Sequence, residues 1–155
     1  MAIEIERKFL VNKFLWEKVK PPKGKEILQC YLFSSEEGSG RVRIKSGKGY
    51  LTVKGSSKGF SRAEFEYEIP KEDAFALMNL FPYRTIAKVR YELMVGGKLW
   101  EVDEFIGRNK GLLVAEIELK HEDESFEKPE WVGEEVSEDL KYTNSQLAIC
   151  PFSEW

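Results

Sequence analysis

Charged residues recur at every second position in six separate stretches of this chain, a seventh adds one more, and no other feature constrains the fold as tightly. Side chains of a β-strand point alternately to opposite faces, so residues at i, i+2 and i+4 share one face. The first stretch sets Glu4, Glu6 and Lys8 against Ile3, Ile5 and Phe9. Arg41, Arg43 and Lys45 alternate with Val42 and Ile44, and Lys54 follows Val53. Arg62, Glu64, Glu66 and Glu68 alternate with Phe65, Tyr67 and Ile69, and Lys88 and Arg90 with Val89 and Tyr91. Glu101 and Asp103 alternate with Trp100 and Val102; Glu116, Glu118 and Lys120 alternate with Ile117 and Leu119. An open sheet with one wet face would alternate similarly. Two details favour a closed one. Hardly a Ser, Thr or Gln stands among the charged positions, and sign is sorted by stretch: 41–45 and 88–90 are basic, whereas 4–6, 101–103 and 116–118 are acidic. The expected fold class is therefore mainly β (α+β). Eight antiparallel strands would close into a barrel or tunnel with a charged lumen, and a few helices would cover its apolar outside.

The rest of the sequence fits that outline. Strand-like stretches lie near 2–11, 26–34, 41–46, 49–54, 61–69, 84–95, 98–105 and 112–120. Turn-rich pieces at 36–40, 46–49 and 55–59 separate neighbours, and Gly96-Gly97 is a tight hairpin signal. Helices are expected at Lys13–Val19, at Lys71–Leu80 and at Asp139–Ile149. At 155 residues and 42% hydrophobic, with no composition shift or repeat, residues 1–155 read as a single domain. The net charge of −3 argues against a broad basic surface for nucleic acid. The opening MAIEIERK carries neither the basic leader nor the apolar run of a secretory signal, and charges interrupt every apolar run. A cytoplasmic location without a membrane or nucleic-acid partner is expected, with a homodimer left open. Cys30 and Cys150 form no CxxC pattern and should both be reduced. The one histidine, His121, lies in the charged run HEDE and should be a solvated surface residue. A metal must then be held by carboxylates, which selects Mg²⁺, Mn²⁺ or Ca²⁺ over Zn²⁺.

A charged lumen is costly unless something fills it, because unpaired buried charge carries a heavy desolvation penalty. Clustered Arg and Lys suit several phosphates, and clustered carboxylates suit a hard divalent cation. Together they describe a metal–polyphosphate site of the kind that neutralises charge on a transferred phosphoryl group. Neither a P-loop nor a GxGxxG is present, so glycine-rich phosphate cradling is not the device used.

Glu4-Ile5-Glu6-Arg7-Lys8 is an ExExK opening, followed in order by Arg41/Arg43, Lys88-x-Arg90 and Glu116/Glu118. With SRAEFEYEIP (61–70), KLWEVDEF (98–105), LVAEIELKHEDE (113–124) and GEEVSEDLKYTNSQLA (133–148), the chain resembles the compact bacterial branch of the CYTH superfamily, the triphosphate tunnel metalloenzymes. The resemblance implies an eight-stranded antiparallel tunnel holding a triphosphate and a divalent metal, Mg²⁺ or Mn²⁺. It implies Glu4, Glu6, Glu116 and Glu118 as metal ligands, with Asp103 and Glu64 as further acidic positions for a second metal or for orienting basic side chains. Lys8, Arg41, Arg43, Lys54, Arg62, Lys88 and Arg90 would contact phosphates. Tyr31, assisted by Lys88, would activate the attacking water, or else serve as a core aromatic. Cys30 stands where relatives commonly carry a small residue, and should point away from the Tyr31 side chain. Rim ion pairs are the expected role of Lys45, Glu66, Glu68, Glu101 and Lys120. The C-terminal helix would close one mouth of the tunnel or pack as core. The implied activity is hydrolysis of inorganic tripolyphosphate, a small-molecule substrate. Adenylate cyclase, thiamine triphosphatase and a non-catalytic polyphosphate-binding module are the alternatives.

Overall fold

In the computed structural model, which describes residues 2–155, nine strands form one antiparallel sheet in the order β5-β4-β3-β2-β6-β7-β8-β1-β9. They are β1 (Ala2–Val11), β2 (Lys25–Ser35), β3 (Gly38–Lys45), β4 (Lys48–Gly55), β5 (Ser61–Ile69), β6 (Thr85–Val95), β7 (Lys98–Phe105), β8 (Leu113–Glu118) and β9 (Val132–Glu135). A further pairing of β5 with β1, from Ala2↔Glu64 to Ile5↔Ser61, closes β1 to β8 into a barrel. The expected class and strand count are thus observed. The hairpin joining β3 to β4 turns at Ser46 and Gly47 (φ 52° and 76°), and that joining β6 to β7 at Gly96 and Gly97 (φ 59° and 77°). Both have the paired positive φ of a type I′ turn, whose twist matches the strands it joins.

The barrel's outer face is apolar and is covered in two places. Helix α2 (Lys71–Leu80) lays Ala74 and Met78, one turn apart, over Val42 and Cys30. Its first turn carries Glu72 and Asp73, the sign that suits a helix N-terminus. On the other side, Phe9, Trp100, Ala115 and Ile117 meet Trp16 of helix α1 (Lys13–Trp16) and Trp131 of the loop before β9. The Trp16 and Trp131 rings lie 5.1 Å apart at 69°, and Trp131 and Trp100 lie 5.8 Å apart at 78°. Such edge-on contacts are worth on the order of 1 kcal/mol beyond area burial. Helices were expected to do all the covering; here a loop rich in aromatics does half.

Three elements differ from expectation. Helix α1 stops at Trp16 rather than Val19, because Pro21 and Pro22 follow: neither donates a backbone hydrogen bond, and Lys20 is biased to extended backbone. The expected helix over 139–149 is a 3-10 turn (Leu140–Tyr142) followed by α3 (Asn144–Ile149). Two short polar side chains split it. Asp139 accepts from the Lys141 amide at 3.2 Å, and Thr143 Oγ1 accepts from the Gln146 amide at 3.3 Å, each opening its own segment. Strand β9 was not anticipated. It extends the barrel at β1, pairing Glu135 with Phe9 and Val132 with Val11, and the Glu135 carboxylate grips the Arg7 guanidinium.

Candidate active site

The alternation along each strand carries one set of side chains into the barrel, where they enclose a cavity of about 420 Å³. Its walls include Glu4, Glu6 and Lys8 from β1, Tyr31 from β2, and Arg41 and Arg43 from β3. Lys54 comes from β4, Arg62 and Glu64 from β5, Arg90 from β6, and Glu116 and Glu118 from β8. Of the sequence-predicted site residues, only Lys88 and Asp103 lie outside this lining. At one end the lumen becomes apolar. Tyr31, Ile86, Phe105 and Val114 pack there against Leu147 and Ala148 of α3, both fully buried. The C-terminal segment therefore plugs this end and is core at the same time. Its Leu140, Thr143, Asn144 and Ser145 also line the cavity.

Strand register sets like charges face to face. Glu6 pairs with Glu118 across β1–β8, and Glu101 with Glu116 across β7–β8, arrangements that repel unless a cation intervenes. Burial, with Glu116 and Glu4 close by, pushes the Glu6 carboxyl up to about 7. Burial together with Glu4 and Glu64 also raises Glu118. Their neighbours are held down instead. Burial would raise Glu116, but Lys8, 3.6 Å away, and Arg90 bring it to about 2. Burial would likewise raise Glu4, yet Lys54 (2.9 Å) and Arg62 (3.1 Å) hold it below its usual value. Lys54 also reaches Glu64 at 3.3 Å, and Arg62 reaches Glu6 at 3.6 Å.

All-oxygen carboxylate donors, crowded enough to resist ionisation, fit a hard divalent cation. Among the described residues no three acidic side chains yet stand ready to hold one. The reason is visible in the ion pairs: the lumen's basic side chains are folded onto the carboxylates, each set neutralising the other. Burial and the facing Arg41 and Arg90 bring Arg43 down to about 10, so the basic wall is under strain of like charge as well. Arg41 Nε, though buried, finds no hydrogen-bond partner among the described residues. An unsatisfied guanidinium facing a cavity is a ready site for an anionic oxygen.

Lys88 and Asp103 stand behind this wall. Asp103 receives Lys88 Nζ at 2.6 Å and Arg90 Nε at 2.7 Å, and Arg90 Nη2 at 2.8 Å. Burial would raise the Asp103 carboxyl, but these two cations hold it far below the usual range. With both oxygens engaged, Asp103 fixes the Arg90 fork. Lys88 is fully enclosed, with Asn144 Oδ1 2.9 Å from its Nζ. Burial lowers its ammonium to about 7 against the pull of Asp103. The Tyr31 hydroxyl bonds to Gln29 Nε2 at 3.1 Å rather than to Lys88. Cys30 points outward beneath α2, away from Tyr31, as expected. His121 is exposed. At the rim, Lys45 pairs with Glu92 at 3.7 Å, Glu68 with Lys48 at 3.7 Å and Glu101 with Arg90 at 3.0 Å. Glu66 accepts from Thr52 Oγ1 at 2.9 Å instead of pairing with a cation. Lys120 is exposed. Sequence reasoning passed over Gln29, Thr52 and Asn144. The first two occupy lumen-facing positions of the same period-2 pattern, two residues from Tyr31 and from Lys54, and were missed because they carry no charge.

The chain is similar to known proteins over nearly its whole length. The inorganic triphosphatase of Acetivibrio thermocellus is 46% identical over 153 residues, covering 98% of this chain and 97% of that protein. The inorganic triphosphatase of Nitrosomonas europaea is 35% identical, covering 94% and 97%. A crystal structure of an inorganic triphosphatase superposes with a TM-score of 0.67 at 31% identity, covering 96% of each chain. The CYTH domain profile matches residues 2–148, and the chain belongs to the CYTH domain family.

Proposed function

We propose that this protein hydrolyses inorganic triphosphate to pyrophosphate and phosphate inside the barrel, with Mg²⁺ or Mn²⁺ as the divalent cation. The observation that carries the reading is the placement of opposed carboxylates, Glu6 against Glu118, in one cavity with Lys8, Arg41, Arg43, Lys54, Arg62 and Arg90. Divalent-metal dependence is characteristic of the family, and two of its members named as inorganic triphosphatases match nearly end to end.

Glu4, Glu6, Glu116 and Glu118 would hold the cation, with Glu64 beside them. When bound, the cation supplies positive charge to phosphate oxygens. The chain's own residues do the rest. Lys8, Lys54 and the guanidiniums of Arg41, Arg43, Arg62 and Arg90 bind and align the phosphates, exchanging carboxylate partners for phosphate oxygens as substrate enters. A water oxygen attacks the terminal phosphorus, and the bridging P–O bond breaks with its electron pair leaving on pyrophosphate. Tyr31, once its own proton has been released to the lumen, takes up the water's proton as a phenolate. Asp103 and Lys88 act through Arg90, holding its fork toward the substrate. The α3 plug shuts bulk water out of that end.

A cytoplasmic location fits the two free cysteines, of which Cys150 is exposed. Among the described residues no helix is long and apolar enough to cross a membrane. The purified protein with Mg²⁺ should release phosphate from tripolyphosphate and not from ATP or thiamine triphosphate offered separately. Cyclic AMP formed from ATP would overturn the assignment in favour of a cyclase. Tight binding of tripolyphosphate without turnover would make it a binding module.

A further inference from the structure

Gln29 lies on the lumen side of β2, fully buried, with one end of its amide on Tyr31 and the other on Arg43. Arg43 Nε donates to its Oε1 at 2.9 Å, and its Nε2 donates to the Tyr31 hydroxyl at 3.1 Å. Chemistry fixes the sense of both bonds. A guanidinium has no acceptor, so the oxygen end of the amide must face Arg43. The nitrogen end then faces Tyr31, and an amide N–H can only donate. The Tyr31 oxygen is therefore the acceptor, and its own proton is free to turn toward the cavity that Tyr31 lines. Arg43 from β3 and Arg62 from β5 bring positive charge near the same oxygen. Ile86, Phe105 and Leu147 pack against the ring, and Arg41 is its cross-strand partner on β3.

We propose that Gln29 is a positioning residue for triphosphate hydrolysis: its amide N–H holds the Tyr31 oxygen toward the attacking water and supports the negative charge that oxygen carries, with its own proton given up to the lumen, until it takes the water's proton. The inference rests on the triphosphatase reading and on the place of Tyr31 in it. Without the Gln29 N–H, the phenol would turn its own proton toward whichever acceptor replaced the amide. With it, the Tyr31 oxygen keeps one orientation, its proton released toward the lumen and the lone pair left behind aimed at the attacking water.

A double-mutant cycle separates this role from simple packing. Gln29→Met keeps the volume and removes the donor; Gln29→Glu keeps an acceptor for Arg43 and removes the donor. With Tyr31 present, either change should lower kcat for inorganic triphosphate about tenfold or more, as loss of an oriented donor does elsewhere. KM should move less than about threefold for Gln29→Met, because the phosphate-binding side chains are retained. In a Tyr31→Phe background the same changes should leave kcat within about twofold of that background. An equal loss in both backgrounds, or no loss with Tyr31 present, overturns the proposal. If Gln29→Met fails to fold, Gln29→Glu carries the cycle. The bond itself is read without turnover, from the side-chain amide resonances of Gln29 in the metal-free protein. They should shift on Tyr31→Phe, and unmoved resonances would refute the contact. Absence of phosphate release by the unmodified protein would instead sink the triphosphatase reading.

Discussion

Glu6 and Glu118 face each other with no hydrogen bond from a basic side chain among the described residues, and both resist ionisation. Glu6→Ala or Glu118→Ala should abolish metal-dependent turnover while the protein stays folded, since each relieves carboxylate repulsion in the metal-free lumen. Full activity in either variant, measured as phosphate release, would refute the metal assignment. The Glu6 carboxyl is raised to about 7 when folded and has an ordinary value near 4.5 when unfolded. Between those values the folded chain binds more protons, so in chelator its thermal midpoint should fall as pH rises from 4.5 to 7. Glu6→Gln should flatten that part of the profile; an unchanged slope would show that Glu6 is not the crowded group. Added Mg²⁺ should bind more tightly as pH passes 7, because ligation needs the proton gone. The charged residues of the site were legible from period alone, because charge at alternate positions of a strand leaves few other arrangements. Lys88 and Asp103 share that period yet sit behind the wall. A two-residue repeat specifies a face, and the depth of a side chain behind it depends on strand tilt and on the plug.

At the level of elements, the C-terminal segment does two jobs that sequence presented as alternatives. Leu147 and Ala148 are fully buried against Ile86, Phe105 and Val114, while Thr143 and Asn144 line the cavity. Leu147→Ala should cost about 2–5 kcal/mol, the usual range for a buried leucine, and should lower the thermal midpoint accordingly. Deleting 141–155 should unfold the barrel rather than change its substrate range. A truncated protein with native circular dichroism and a cooperative transition would contradict this. Strands β1 to β7 and α2 were legible because their periods run for eight residues or more, and β8, with six, because its alternation is strict. The 139–149 segment was not, since apolar spacing cannot show that Thr143 starts a new helix. Strand β9 escaped because its four residues carry too short an alternation, and its partner is the far end of β1.

Over the whole molecule, the substrate-free lumen is a self-neutralised salt network in which carboxylates and basic side chains occupy one another. Triphosphate alone must displace carboxylates, and cation alone must displace lysines and arginines. The two together satisfy both sets at once. Thermal denaturation should therefore show a larger upward shift with Mg²⁺ and a non-hydrolysable triphosphate together than the sum of the two separate shifts. Strict additivity would argue against a shared lumen. This network explains why a net charge of −3 conceals a polyanion site: opposite charges are concentrated in one enclosed space.

The seam that closes the barrel has a further consequence for how the chain reaches this state. Residues 2–5 pair with 61–64, and residues 6–10 pair with 114–118 on the other side. The strand that carries the ExExK side chains thus precedes both neighbours in the chain by more than 50 residues, and its 6–10 half has no partner on the β8 side until β8 is synthesised. Such distant partners give a high contact order, which slows folding and prolongs exposure of an open strand edge. Meanwhile β2, β3 and β4 can assemble locally through their hairpins. In this protein the half of β1 that carries Glu6 and Lys8 is consequently among the last to be locked in place, and the site comes into being only with barrel closure.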